Sequence, residues 1–362
     1  MPISIFIRAD SNSRIGIGHV LRCLAFAQAW QDEGVTARFI GRIDSSGLKE
    51  RIIDEGFKFI PLCGSDLSNQ EALKIKEIIE AYKSNDIEKE SKPKSDSNRT
   101  VWIILDGYQF DTIYQKELKK FGYRILVMDD TALHSEYYAD IIVNQNFNAK
   151  FLNYRSESHP SLLLGLEYAT LLKNFRKFKD KQSSFSPKVK RILLSLGGSD
   201  SKNITSKIVQ ALNRCKISSF CVDIVVGPEN LYIDEIRKVL ISALYRFRIL
   251  IDVKNMPNLM SHADMAICSG GTTCRELLYM RVPSMVIITS KNQHEAVESL
   301  HGAGAILSLG CWKNLDIEAF SNLMSKFIQD VELRRKLHEN AKKLCICLGA
   351  DQIVSEMKRK SN

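Results

Sequence analysis

Arg8-Ala9-Asp10-Ser11-Asn12-Ser13-Arg14-Ile15-Gly16-Ile17-Gly18-His19-Val20-Leu21-Arg22-Cys23 follows an apolar run, Ile3 to Ile7, and leads into Val20 to Glu33, where Gly34 stops the pattern. The run reads as a buried strand and the later segment as an amphipathic helix, so His19 stands where a strand turns into a helix. In doubly wound α/β domains the C-terminal ends of the strands form the ligand crevice, and helix N-termini there offer N–H groups to anions. An ionisable imidazole at that place is a candidate base. Gly16 and Gly18 remove side-chain bulk, so a ligand or a second loop can approach the backbone closely. Read alone, the same residues also describe a tight turn with a capping or core histidine.

Outward from this stretch, the chain has room for two domains of ordinary size, with 362 residues of which 44% are hydrophobic. The excess of 51 Lys+Arg over 42 Asp+Glu, a formal charge of +9, suits an anionic small ligand and allows a weak association with an anionic membrane surface. The basic residues are spread along the chain without an RNP-like, zinc-finger or helix-turn-helix signature, so no nucleic-acid partner is expected. The nine cysteines are odd in number and scattered, often inside apolar runs, and read as reduced core residues. No charged region precedes an apolar segment at the N-terminus, and no apolar run reaches the length of a membrane span, so a cytoplasmic protein is expected. No oligomeric state is assigned.

Strand and helix alternate through the first half, which favours a parallel sheet. Val35 to Ile40 and Phe57 to Leu62 read as strands, with helices at Leu48 to Glu55 and Leu73 to Tyr82. Lys83 to Arg99 is nearly all Lys, Ser, Asp, Glu and Asn and is expected to be a disordered insertion. Three further strands then end in polar residues: Val101 to Leu105 delivers Asp106-Gly107-Tyr108, Arg124 to Met128 delivers Asp129-Asp130, and Asp140 to Val143 delivers Asn144-Gln145-Asn146. Parallel strands bring those ends to the rim that carries His19; each also has the ordinary use of capping a turn or helix.

Lys173 to Lys190 reads as a linker between residues 1–172 and a second domain, residues 191–345, with a helix and tail over 346–362. The second domain repeats the plan. Arg191 to Leu196 runs into Gly197-Gly198-Ser199-Asp200, whose backbone N–H groups suit a phosphate or sugar hydroxyl. Met256 to Ser261 reads as a short helix. Met265 to Cys268 then ends in Ser269-Gly270-Gly271-Thr272-Thr273 and opens another helix. There the glycines let a diphosphate sit against the backbone, the threonines add hydroxyl donors, and the helix dipole favours the anion. Glu276, one turn along, can accept the two hydroxyls of a ribose, and Thr272 with Glu276 also has the form of an N-cap and its capping partner. Val282 to Ile288 is the next strand, ending near Asn292 and Gln293, and Asp316 to Lys358 reads as two amphipathic helices.

Arg8-x-Asp10, Gly16-x-Gly18-His19-x-x-Arg22-Cys23, Asp106-x-Tyr108, Asp129-Asp130, Asn144-x-Asn146, Gly165-x-x-Tyr168-Ala169, Gly197-Gly198-Ser199-Asp200, Glu276 and Lys291-Asn292-Gln293 together resemble the PseG (also SpsG) family of UDP-sugar hydrolases. The resemblance runs in motif order over nearly the whole chain. It implies the GT-B arrangement shared with the MurG glycosyltransferases, in which two Rossmann-like α/β domains face each other across a cleft. It also implies hydrolysis of UDP-2,4-diacetamido-2,4,6-trideoxy-β-L-altropyranose to UDP and free sugar, a step in making pseudaminic acid, a nonulosonic acid of bacterial surface structures.

On that resemblance His19 is the general base on a water that attacks the anomeric carbon with inversion, a role suited by an ordinary histidine pKa near 6.5. Asp10, Gly18, Tyr108 and Asn292 position the sugar or the water. UDP is held by Gly198, Met256, Ser269, Gly270, Gly271, Thr272, Thr273, Glu276 and Gln293. No cofactor is implied, and no DxD, HxxxH or clustered Cys/His pattern points to a metal. A MurG-type transferase using an acceptor hydroxyl, and a non-catalytic GT-B-like subunit anchoring a partner at a membrane, are the competing expectations.

Overall fold

In the computed structural model the continuous apolar runs of the first half form a seven-stranded parallel sheet. The structure describes residues 2–12, 15–64, 69–89, 99–178, 184–198, 200–215, 217, 219–228, 230–344 and 349–361. The strands are β1 (Ile3–Ala9), β2 (Ala37–Gly41), β3 (Lys58–Pro61), β4 (Thr100–Asp106), β5 (Arg124–Asp129), β6 (Ile141–Asn144) and β7 (Ser161–Leu164), in the order β3-β2-β1-β4-β5-β6-β7. Helices α1 (Gly18–Asp32), α2 (Ser46–Asp54), α3 (Asn69–Lys89) and α4 (Thr112–Lys120) make the crossovers. The order reverses between β1 and β4, so the crevice of the sheet opens where α1 begins.

The second sheet, also parallel, is β10-β9-β8-β11-β12-β13. After α5 (Lys173–Arg176) come β8 (Arg191–Ser195), α6 (Ile204–Asn213), β9 (Cys221–Val226), α7 (Ile233–Leu240), β10 (Arg246–Ile251), α8 (Met256–Ser261), β11 (Met265–Ser269), α9 (Thr272–Tyr279), β12 (Ser284–Ile288), α10 (His294–Gly302) and β13 (Leu307–Cys311). Its switch point lies between β8 and β11, so the glycine turns after both strands share one crevice. Two Rossmann-like domains with their crevices facing across a cleft constitute the GT-B fold, as expected from the sequence.

The chain ends in α11 (Ile317–Gln329), α12 (Val331–Lys343) and α13 (Gly349–Ser361), three helices where the apolar pattern predicted two. The last of them returns to the first domain. Ile353, Val354 and Met357 are buried in one apolar cluster with Val20, Trp30 and Trp102, and Trp102 Nε1 donates to Ser361 Oγ at 2.8 Å. Burying side chains of this size is worth about 1.5–3 kcal/mol each. A Cβ on Gly349 would lie 2.1 Å from the Tyr168 carbonyl carbon, so the crossing demands glycine.

Two expectations are corrected. The expected disordered insertion from Lys83 begins too early, because α3 continues to Lys89; residues 90–98 lie outside the described residues. The expected linker, 173–190, opens with helix α5, in which Phe175 is fully buried. Edge strands β7 and β13 were not expected: they are four and five residues long and mostly half-exposed, so neither carries the longer buried run of the central strands. Among the described residues no helix is long and apolar enough to cross a membrane.

Candidate active site between the two domains

His19 sits in the first turn of α1, whose N-cap, Ile17, provides no side-chain hydrogen bond. Its Nδ1 lies 2.6 Å from Asp106 Oδ1 at the end of β4. An ionised carboxylate only accepts, so the proton is on Nδ1 and Nε2 is the free acceptor. Among the described residues Nε2 has no protein partner. The ring stands edge-on to Tyr108, with centroids 5.3 Å apart.

Asp106 is fully buried and shared. Arg22, one turn after His19, donates Nε to Oδ2 at 2.5 Å and Nη2 to Oδ1 at 2.6 Å, and Cys23 Sγ adds a third contact at 3.3 Å. Burial opposes the Asp106 charge, yet Arg22 and then His19 hold its carboxyl below the usual range. Arg22 Nη1 also reaches Asp130 Oδ1 at 2.8 Å. The carboxyl of Asp130 is likewise held down: burial works against its charge and Arg22 more than offsets it.

The other face of Asp130 accepts Tyr108 Oη at 3.0 Å, and Asn292 Nδ2 from the second domain donates to the same phenol oxygen at 2.7 Å. Burial, followed by the Asp130 charge, pushes the Tyr108 phenol far above its usual range, so Tyr108 remains a neutral donor. A second bridge crosses the cleft where Arg275 Nη1 donates to Asn146 Oδ1 at 3.1 Å. His19, Tyr108, Asp130, Asn146, Arg275 and Asn292 line one cavity of about 330 Å³.

A second cavity, also about 330 Å³, adjoins it and is built mainly from the second domain. Gly18, Gly271, Thr272 and Gln293 line both, so they mark the junction. Gly270 faces the His19 side, whereas Gly198, Met256, Ser269, Thr273 and Glu276 face the other. Helix α9 begins at Thr272 behind N-cap Gly271, with no side-chain cap and no acidic residue in its first turn. The expected Thr272 cap is therefore not formed, and the N-terminal N–H groups keep their affinity for an anion.

The junction is tight. A Cβ on Gly198 would meet Ile17 Cδ1 at 2.7 Å, and one on Gly18 would meet Thr272 Cγ2 at 3.8 Å. Gln293 is fixed by accepting from Thr289 N at 3.0 Å and Thr289 Oγ1 at 3.1 Å. Glu276 is half-buried, and its carboxylate makes no hydrogen bond among the described residues. Burial raises its carboxyl to about 7, against the opposing charges of Arg275 and Arg51.

Asp10 does not share in this geometry. Its carboxylate is engaged by Arg8, accepts Arg42 N–H at 2.7 Å and Gln109 Nε2 at 3.1 Å, and lines neither cavity. Arg8 is itself buried against Glu71 at 2.9 Å and under the Phe110 ring. Asp10 thus ties the loop after β1 to β2. Ser199 lies outside the described residues. Asp106, Asp130 and Asn146 were expected on the rim with His19 but were given no role there, and Arg22 and Arg275 were not assigned to the site. The polar strand ends pointed toward Asp106, Asp130 and Asn146, whereas nothing in the sequence set Arg275 apart from any other helical arginine. Among the described residues no cluster of His, Cys, Asp or Glu is suited to hold a metal ion.

This geometry and the fold define a GT-B protein with a glycine-rich turn and uncapped helix N-terminus on one domain and a carboxylate-paired histidine on the other. No protein-family model matches the chain. It is similar to an uncharacterized protein of Methanocaldococcus jannaschii, 27% identical over 82% of this chain and 58% of that protein. It is also similar to the UDP-2,4-diacetamido-2,4,6-trideoxy-beta-L-altropyranose hydrolase of Campylobacter jejuni, 25% identical over 83% of this chain and 97% of that one. Spore coat polysaccharide biosynthesis protein SpsG of Bacillus subtilis is 23% identical over 61% of this chain and 65% of its own length. The chain therefore spans less than two thirds of two of these three relatives. Among solved structures, Acinetobacter baumannii MurG aligns with a TM-score of 0.66 at 14% identity, covering 99% of both chains. The S. aureus MnaA-UDP co-structure also aligns at 0.66, with 12% identity, over 99% of this chain and 97% of that one.

Proposed function

We propose that this protein hydrolyses a UDP-linked diacetamido-trideoxyhexose to UDP and the free sugar, with His19 as the general base. The observation that carries the reading is His19, held by the buried Asp106, lining a cavity that is continuous with the uncapped N-terminus of α9. The Campylobacter relative is named for such a hydrolysis, and the MnaA structure shows UDP bound on this fold.

In this reading UDP occupies the second-domain cavity. The diphosphate meets the backbone of Gly270 to Thr273, the ribose hydroxyls meet Glu276, and the uracil lies by Met256 at the start of α8. The hexose extends past Gly18 into the His19 cavity. His19 Nε2 takes a proton from a water as the water oxygen attacks the anomeric carbon; the bond from that carbon to the β-phosphate oxygen breaks, and its electron pair leaves with UDP. Asp106 fixes the tautomer and stabilises the imidazolium that forms. Arg22 shares the Asp106 charge and keeps the carboxylate in place. The N–H groups of α9 stabilise the charge that develops on the leaving diphosphate. Tyr108 and Asn292, bonded to each other, bound the sugar in the His19 cavity.

The experiment is UDP release from this sugar nucleotide in the absence of any acceptor. UDP together with an equimolar amount of free sugar supports hydrolysis. Turnover that strictly requires an added acceptor alcohol replaces the reading with a MurG-type transferase, which the similarity to MurG favours on fold alone.

A further inference from the structure

Arg275 is buried in the first turns of α9, yet the bond to Asn146 is the one hydrogen bond its guanidinium makes among the described residues. A guanidinium carries five donors, so most are unspent. These are not sealed in the core: the side chain has no enclosed, unpartnered nitrogen, and it lines the His19 cavity but not the nucleotide cavity. A positive group so placed, with open donors facing the space where the hexose lies, has a ligand still to meet.

The chemistry of that ligand follows from the surroundings. Arginine is a donor only, so it matches an acceptor-only group: a carboxylate, a phosphate or an amide carbonyl. The diphosphate is already served by the N–H groups of α9, on the far side of Gly271. Two arginines, Arg22 and Arg275, face two carboxylates, Asp106 and Asp130, in this wall. No net charge is left over for a second anion. An uncharged carbonyl fits, since it uses the donors without adding charge.

Resting on the UDP-sugar reading above, we propose that Arg275 is a specificity residue that donates to an acylamino carbonyl of the hexose, with Asn146 holding the guanidinium across the cleft. The sugar then bridges the domains through the same side chain that joins them in its absence.

The test is binding by calorimetry in the His19→Ala background, which holds the substrate unreacted. The ligands are UDP, the diacetamido sugar nucleotide, the congener with hydroxyls in place of both acetamido groups, and a congener with a C6 carboxylate. A hydrogen bond to a charged donor predicts about 30-fold tighter binding of the acylated sugar than of its hydroxyl congener. Arg275→Met should shrink that ratio to about threefold or less while leaving UDP affinity within about twofold. Asn146→Ala, which leaves the guanidinium present but unfastened, should lower the same ratio, and this second variant decides the matter if Arg275→Met does not fold. A preference that survives these variants, a parallel loss of UDP affinity, or tighter binding of the carboxylate congener overturns the proposal. Failure of the function itself shows differently: the unsubstituted protein then releases no UDP from the acylated substrate, whatever Arg275 does.

Discussion

The turns β1–α1 and β11–α9 are built to one plan, a buried strand, a glycine-rich loop and a helix whose N-terminus lacks a side-chain cap. They face each other so closely that a Cβ added to Gly18 of one would be in van der Waals contact with Thr272 of the other. Their chemistry is nonetheless opposite. The first presents a side chain, His19, because the neighbouring strand β4 delivers Asp106 beneath it. The second presents backbone, because the strands flanking β11 deliver Ser195 on one side and Thr289 on the other rather than a carboxylate. One supersecondary unit thus presents either a carboxylate-paired side chain or bare backbone N–H groups according to what the adjacent strand ends in.

The sharpest break of this contrast is His19→Ala. Loss of a general base predicts a kcat about 1,000-fold lower with UDP affinity unchanged, measured by UDP release and calorimetry. Equal loss of both would mean that the two turns do not divide the work. Asp106→Asn should lower kcat by about 100-fold or more, since the amide can favour the wrong tautomer of His19 while the nucleotide turn is untouched.

On the other turn, Glu276→Gln should weaken binding of the sugar nucleotide roughly tenfold at pH 8 and little at pH 6. The sign follows from a carboxyl raised to about 7: it is ionised and able to accept two hydroxyls above that pH, and protonated below it. The same shift makes the folded state bind the proton more tightly than the unfolded one. Stability is therefore lost as pH rises from the ordinary glutamate range through about 7, and Glu276→Gln should melt higher than the unsubstituted protein at pH 8 but not at pH 4.5. A melting difference that is independent of pH would show that burial does not raise the Glu276 carboxyl. The smallest effect is expected at Ser361, far from both turns, where Ser361→Ala should cost about 1 kcal/mol in chemical denaturation with kcat intact.

Much of this was legible in the residues themselves. Continuous apolar runs ending in Gly, Asp or Asn marked the central strands and placed His19 and Ser269 to Glu276 at helix starts. The site was only partly legible. The resemblance put Asp10 beside the sugar or the water, but Arg8, Arg42 and Gln109 engage its carboxylate. Asp106 is 87 residues from His19 and becomes its partner only because β4 pairs directly with β1. Arg22, one helical turn from His19, falls on the same face, yet its partners Asp106 and Asp130 come from two other strands.

By itself, the sequence determined the local frame: which segments are the central strands and where the glycine turns before helices fall. These depend on short-range periodicity and backbone conformation, and they need no knowledge of distant residues. The pairing of His19 with Asp106, the removal of Asp10 from the site, the return of α13 to the first domain and the reach of Arg275 to Asn146 were decided by the tertiary structure alone. Each depends on which surfaces are buried against each other. A charged side chain becomes a base, an anchor or a specificity contact through the partners and the desolvation that packing gives it, and neither is local in sequence.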